Sequence, residues 1–338
     1  MRSKAPHVVS LGLALVLAGC GGSGTAAGGV AGREKSATHE RRTLRTPPAP
    51  RAATLSYRHL YTLPAPLRDP AYAALSPGHF VLIGGLSAAD TSTSEVYVGD
   101  LEHVRQVATL GTAQHDAQAA TLAGRVYVFG GGSFSELDHI FSFDPTGSAL
   151  ATVGALPSAQ SDVAVTSIGQ TAYVVGGYDG VNWKNTILSY RPRASSTKLA
   201  ATIPVGLRYA AVTAIDGRVL IAGGSTPMAA SRAILSFDPQ TGKVTRIGTL
   251  PSPVTHGELA PLGQFAYLVG GRGNGTTSQT ARIFAIDAKT GRVTPAGRLP
   301  TGLSDAALLP DGGSLLLIGG LESSGGVSDA VGQLTPAR

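Results

Sequence analysis

An all-β chain made of six repeated four-stranded units is what this sequence predicts, and three observations predict it. Six apolar tetrads each run into a Gly-Gly pair at nearly constant spacing. A Leu-Pro marker recurs with the same period, and Asp-containing turns fall between the two markers. Composition agrees: 45 glycines and 21 prolines supply turns, while 43% hydrophobic residues supply a core and argue against general disorder.

The tetrads are residues 80–83, 126–129, 172–175, 219–222, 266–269 and 315–318, followed by Gly84-Gly85, Gly130-Gly131, Gly176-Gly177, Gly223-Gly224, Gly270-Gly271 and Gly319-Gly320. Successive pairs are 46, 46, 47, 47 and 49 residues apart, which marks an internal repeat. Four apolar residues in a row describe a strand buried on both faces. Paired glycines suit a sharp backbone bend or the close approach of another unit. The second marker is Leu63-Pro64, Leu156-Pro157, Ile203-Pro204, Leu250-Pro251 and Leu299-Pro300, with Leu110-Gly111 as its variant. Between them lie Asp144-Pro145-Thr146-Gly147, Asp238-Pro239-Gln240-Thr241-Gly242 and Asp287-Ala288-Lys289-Thr290-Gly291. There Asp caps the turn and Gly takes the left-handed conformation. Each unit therefore reads as inner strand, apolar strand with Gly-Gly, loop, third strand, Asp turn, outer strand and Leu-Pro.

This order resembles the kelch repeat family over about residues 55–338, which implies a six-bladed kelch-type β-propeller. The sequence departs from the family where a Trp often follows the turn: Leu150, Val244 and Val293 stand there, and the single Trp183 falls in a loop. After Gly320 one strand remains, near residues 328–334. The missing outer strand is expected from the other end of the chain, from Tyr57 to Leu63, pairing with the C-terminal strand and so closing the last blade.

Ahead of the repeats, Arg2 and Lys4 precede an apolar run over residues 8–17. The run is too short to span a bilayer, which takes about 20 residues, but it suits a secretory signal. It ends in Leu17-Ala18-Gly19-Cys20, and Cys20 is the chain's one cysteine. The tetrapeptide resembles a bacterial lipobox, which implies cleavage before Cys20, lipidation of its thiol, and a membrane-anchored protein at the cell surface or in the periplasm. The expected organisation is a signal peptide over 1–19, lipidated Cys20 with a flexible basic and Pro-rich tether over 20–52, and the propeller over 53–338.

Charge excludes one class of partner. Residues 1–52 hold eight Lys/Arg against Glu34 and Glu40, and the remainder holds 19 basic and 19 acidic residues. The net +6 belongs to the leader and tether, so the repeats have no net field for a nucleic acid.

Stepping 14 residues back from each Gly-Gly gives Asp116, Asp162, Tyr209, His256 and Asp305, with Asp69 one position off in the first unit. Arg68, His115, Ser161, Arg208, Thr255 and Ser304 precede them. These are the starts of the inner strands, so a polar ring is expected at one mouth of the central channel. Two readings stand. Arg68, Asp69, His115, Asp116, Asp162, Arg208, Tyr209, His256 and Asp305 form a ligand or cation site, or they cap strand starts and bind backbone and channel water.

The loops after each Gly-Gly vary, and Tyr178, Asp179, Asn182 and Trp183 make one of them a candidate partner-binding loop. The alternative is that this loop folds back over a blade.

There is no His-Glu-x-x-His, no Gly-x-Ser-x-Gly and no phosphate loop, and no histidine pair has metal-ligand spacing. No metal, no cofactor and no catalytic residue are assigned. The leading expectation is an envelope-anchored binding module for a protein or glycan. The alternatives are a sugar-acting enzyme resembling the kelch-fold sialic-acid mutarotases, with acid/base chemistry at the mouth, and a structural component of an envelope complex. Fold alone does not choose among them.

Overall fold

The computed structural model describes residues 51–194 and 196–337. The segment expected to be a signal peptide, Cys20 and nearly all of the expected tether lie outside the described residues. Every regular element within them is a β-strand.

Four sheets are four-stranded antiparallel meanders. The first contains Ala71–Ser76, His79–Ile83, Thr93–Gly99 and Val104–Gln114. The second contains Gln118–Leu122, Arg125–Phe129, His139–Asp144 and Ala149–Ala155. The third and fourth repeat this plan from Ala164–Ile168 to Lys198–Thr202 and from Ala211–Ile215 to Lys243–Thr249. An eight-stranded sheet and a short pair, Leu303–Ser304 with Leu321–Glu322, complete the set, and a single parallel pair, Leu55↔Gly297, divides the eight-stranded sheet into two halves of four. One half runs from Glu258–Leu262 to Val293–Arg298. The other is built from both ends of the chain. Its outer strand Leu55–Thr62 pairs antiparallel with Ala330–Pro336, which pairs with Ser314–Ile318, which pairs with Ala307–Asp311.

The apolar tetrads are buried on both faces because a strand's alternation sends neighbouring residues into two different cores. Phe80 and Leu82 pack with Leu309 and Leu316 of the last unit, whereas Val81 and Ile83 pack with Val126 and Val128 of the next. The same division recurs between every adjacent pair of units, and the six cores complete a cycle. Leu150, Val244 and Val293 pack against these cores.

The Gly-Gly pairs hook each unit to the next. The second glycine's N–H donates to a carbonyl at or beyond the end of the outer strand, where the chain leads into the following unit: Gly85 to Gln114, Gly131 to Gln160, Gly177 to Leu207, Gly224 to Val254, Gly271 to Leu303 and Gly320 to Leu67, all within 2.8–3.0 Å. The first glycine makes room for that carbonyl. A Cβ on Gly319 would stand 2.2 Å from the Leu67 oxygen. The last of these hooks joins the end of the repeats to their beginning.

The turns differ from expectation in one place. Gly242 and Gly291 are left-handed at the fourth loop position after their Asp, but in the second sheet Ser148 takes that position at φ 55°, not Gly147. Asp144 still caps the turn, its Oδ1 accepting from the Thr146 N–H at 3.0 Å.

Candidate functional site at the channel mouth

The six residues found by counting from the glycines come together. Asp69, Asp116, Asp162, Tyr209, His256 and Asp305 all have left-handed backbone, with φ between 48° and 60°. Each donates its N–H to the carbonyl of the one before: Asp116 to Asp69, Asp162 to Asp116, Tyr209 to Asp162, His256 to Tyr209 and Asp305 to His256. Asp69 closes the circle on Asp305, and the bonds span 2.9–3.3 Å. The left-handed turn points each N–H and C=O around the circle. Aspartate is among the residues that tolerate it best. Asp69 lies one residue further from its Gly-Gly because Leu75 bulges between the pairs Ala74↔Phe80 and Ser76↔His79.

The preceding residues pair across to those that follow each Gly-Gly: Arg68 to Leu86, His115 to Gly132, Ser161 to Tyr178, Arg208 to Ser225, Thr255 to Arg272 and Ser304 to Leu321. Ring and variable loops therefore share one face. Arg68 pairs with Asp69 at 2.9 Å and with Asp90. Arg208 pairs with the buried Asp162 and lies over three aromatic rings, 4.1 Å from the Tyr178 centroid, 5.4 Å from Trp183 and 5.3 Å from Tyr209. The Trp183 loop thus folds back onto the mouth. Trp183 packs edge-on to Tyr178 with centroids 5.1 Å apart, and its buried Nε1 has no hydrogen-bond partner. Asp179 organises this loop. Its Oδ1 accepts the N–H groups of Val181 and Asn182 and its Oδ2 accepts from Lys184, contacts that bring its carboxyl down to about 2, the Asn182 N–H foremost. The Asn182 side chain takes no part in these contacts and stays exposed.

On the other side of the ring Tyr209 stacks on His256, centroids 3.7 Å apart and planes 23° off parallel. Its hydroxyl donates to Asp116 at 3.1 Å. Arg272 meets His256 Nε2 at 3.0 Å. Burial, reinforced by Arg272, Arg208 and Arg68, lowers the proton affinity of His256 far below its usual range, so it is neutral. His115 is lowered as well, chiefly by burial. The carboxyls move the other way. Burial first, and then their neighbours' charges, raise Asp69 and Asp116 well above the ordinary range, and burial raises Asp305.

Beneath the ring lies a cavity of about 60 Å³ lined by Asp69, Asp116, Asp162, Asp305, Glu258 and Tyr72, among others. Glu258 accepts a hydrogen bond from the Tyr72 hydroxyl, and enclosure raises its carboxyl to about 8, with Asp305 adding to the shift. Further along, the channel widens to about 290 Å³ between small, apolar and hydroxyl residues such as Ala74, Thr121, Ser167 and Pro310. Among the described residues no group of three or more His, Cys, Asp or Glu is arranged to hold a metal ion.

Counting by repeats missed Glu258, Tyr72, Arg272 and Asp90. A signal existed for two of them. Glu258 is the one acid at the second position past the ring, where Ala71, Gln118, Ala164, Ala211 and Ala307 stand in the other units, and Arg272 follows its Gly-Gly directly. The same face carries exposed apolar tips on three consecutive loops: Phe134, Val181 and Met228, exposed at 108%, 74% and 92%.

No family model matches the sequence, and no curated protein does. Among solved structures, the one titled "Structure of YjhT" superposes with a TM-score of 0.71 over 82% of this chain and 97% of that one, at 19% identity. The fold is a β-propeller. YjhT is one of 1104 solved chains that match, so the propeller likeness speaks to architecture and leaves the chemistry to the mouth itself.

Proposed function

We propose that this propeller has six kelch-type blades, the last closed by the strand from Tyr57 to Leu63, and that it is a binding module for a glycan at its channel mouth. The observation that carries this reading is Arg208, which joins the ring to the Trp183 loop and makes the two candidate surfaces one. Aromatic faces beside carboxylates and guanidiniums suit a sugar, whose C–H patches stack on rings and whose hydroxyls hydrogen-bond to charged groups. In the same proposal residues 1–19 are a signal peptide and 20–52 a tether lipidated at Cys20, so the module is exported and held on a membrane.

The test is a glycan array probed with the full chain in detergent, followed by calorimetry on the hits. Trp183→Ala is expected to weaken binding about tenfold, the usual scale for an aromatic anchor. No glycan hit, together with a partner protein lost on replacing Phe134, Val181 and Met228, would overturn the glycan assignment.

A second reading is favoured by Glu258 and His256, a protonated carboxyl and a neutral imidazole in one cavity, which is the pairing that proton transfer requires. In that case the propeller acts on the sugar it binds, as the resemblance to mutarotases implies. Accelerated anomer exchange followed by NMR, lost in Glu258→Gln, would establish it.

A further inference from the structure

We infer that the ligand of this mouth carries a primary ammonium group, received beneath the ring between Asp305, Asp69 and Glu258; this rests on the glycan reading above. Three observations converge on a cation.

The first is the lining of the cavity. Five carboxyl groups face it, from Asp69, Asp116, Asp162, Asp305 and Glu258, and no Lys or Arg does. The three nearby guanidiniums stand outside the lining, and each is already engaged: Arg68 with Asp69 and Asp90, Arg208 with Asp162, Arg272 with His256. The second is an orphaned atom. The Asp305 side chain is only 2% exposed; Ser304 donates to its Oδ2, its Oδ1 meets no donor while Asp69 is ionised, and the nearest basic nitrogen is His256 Nε2 at 3.9 Å. A buried acceptor left without a donor is costly, and a ligand N–H⁺ is the donor it lacks. The third is size. The cavity of about 60 Å³ is far below the roughly 300 Å³ of a whole small-molecule site, so it takes a substituent while the rest of the ligand lies above, against Tyr178, Trp183 and Tyr209.

The raised proton affinities of Asp69, Asp116, Asp305 and Glu258 come first from burial, to which neighbouring carboxyls add at Asp69, Asp116 and Glu258. Without a cation, burial favours the protonated form of Asp69, Asp116, Asp305 and Glu258. An ammonium takes the protons' place, so binding releases them into the buffer. Glu258 faces Tyr72 across its hydrogen bond and feels Asp305. Because it keeps its proton up to about 8, ammonium binding must strengthen as the pH is raised from about 5 toward 8.

The experiment is calorimetry on the full chain with three probes: a short glucosamine oligosaccharide, its fully N-acetylated form, and methylammonium. Each is titrated in two buffers of different ionisation heat. The free-amine sugar is expected to bind at least about tenfold tighter than the acetylated one, as fits a hydrogen-bonded buried charge, with protons released. Glu258→Gln and Asp305→Asn should each remove that preference while still binding the acetylated sugar, with unfolding midpoints confirming that both variants fold.

Equal affinity for the two sugars without proton release overturns the inference and leaves the glycan reading standing. Binding of methylammonium with proton release, abolished in Asp305→Asn, while neither sugar binds, upholds the ammonium pocket and removes the glycan. Failure of all three probes overturns the inference.

Discussion

Gly319 and Gly312 lie seven residues apart and share nearly the same backbone, φ +63° and +60°, yet they serve different ends. Gly312 turns a hairpin in open space, and no atom comes within 4 Å of where its Cβ would be. Gly319 receives the Leu67 carbonyl at 2.2 Å from that point. Gly312→Ala should therefore cost only the left-handed strain, about 1 kcal/mol. Gly319→Ala adds a backbone overlap and the loss of a hook between the last and first units, and should cost about 3 kcal/mol or more. Urea unfolding of the two variants measures the difference, and equal values would refute the hook. At this scale the site was partly legible. Glycine spacing led to the ring because both stand at the open end of the same inner hairpin, where the residue before the ring pairs with the residue after the Gly-Gly. Glu258 and Arg272 escaped because each stands once, in a single unit, and a period shows only what recurs.

The strands were legible because double burial writes itself as an unbroken apolar run. The closure was legible as an absence, one strand too few after Gly320 and one too many before Pro64. The Leu75 bulge was not, since nothing in Ala74-Leu75-Ser76 distinguishes a strand with one extra residue from a strand one residue longer. The pairing of Leu55–Thr62 with Ala330–Pro336 makes a prediction at the level of the element. A chain ending at Asp329 leaves Leu55–Thr62 and Ser314–Ile318 without the strand between them and exposes two long edges. It should elute as aggregate in size-exclusion chromatography, whereas removal of Ala337 and Arg338 alone should leave a folded monomer with an unchanged circular dichroism spectrum.

For the whole molecule, stability is circular. Six cores, six glycine hooks and six ring bonds each run from the last unit back to the first, so opening the molecule at any one boundary breaks all three there together. What no period could reveal is a ligand, because the loops around the mouth differ from unit to unit. The proposed lipidation of Cys20 makes its own prediction: Cys20→Ser should move the protein from the detergent phase to the aqueous phase on Triton X-114 partitioning, and retention in the detergent phase would refute lipidation. The strand Leu55–Thr62 also has a direction. Thr62 lies beside Ala330 and leads to the mouth, while Leu55 lies beside Pro336 at the opposite end. Both termini of the described fold thus leave side by side from the underside. A fluorescent protein fused to the carboxyl end therefore joins the fold on the side away from the acidic opening and leaves that opening accessible.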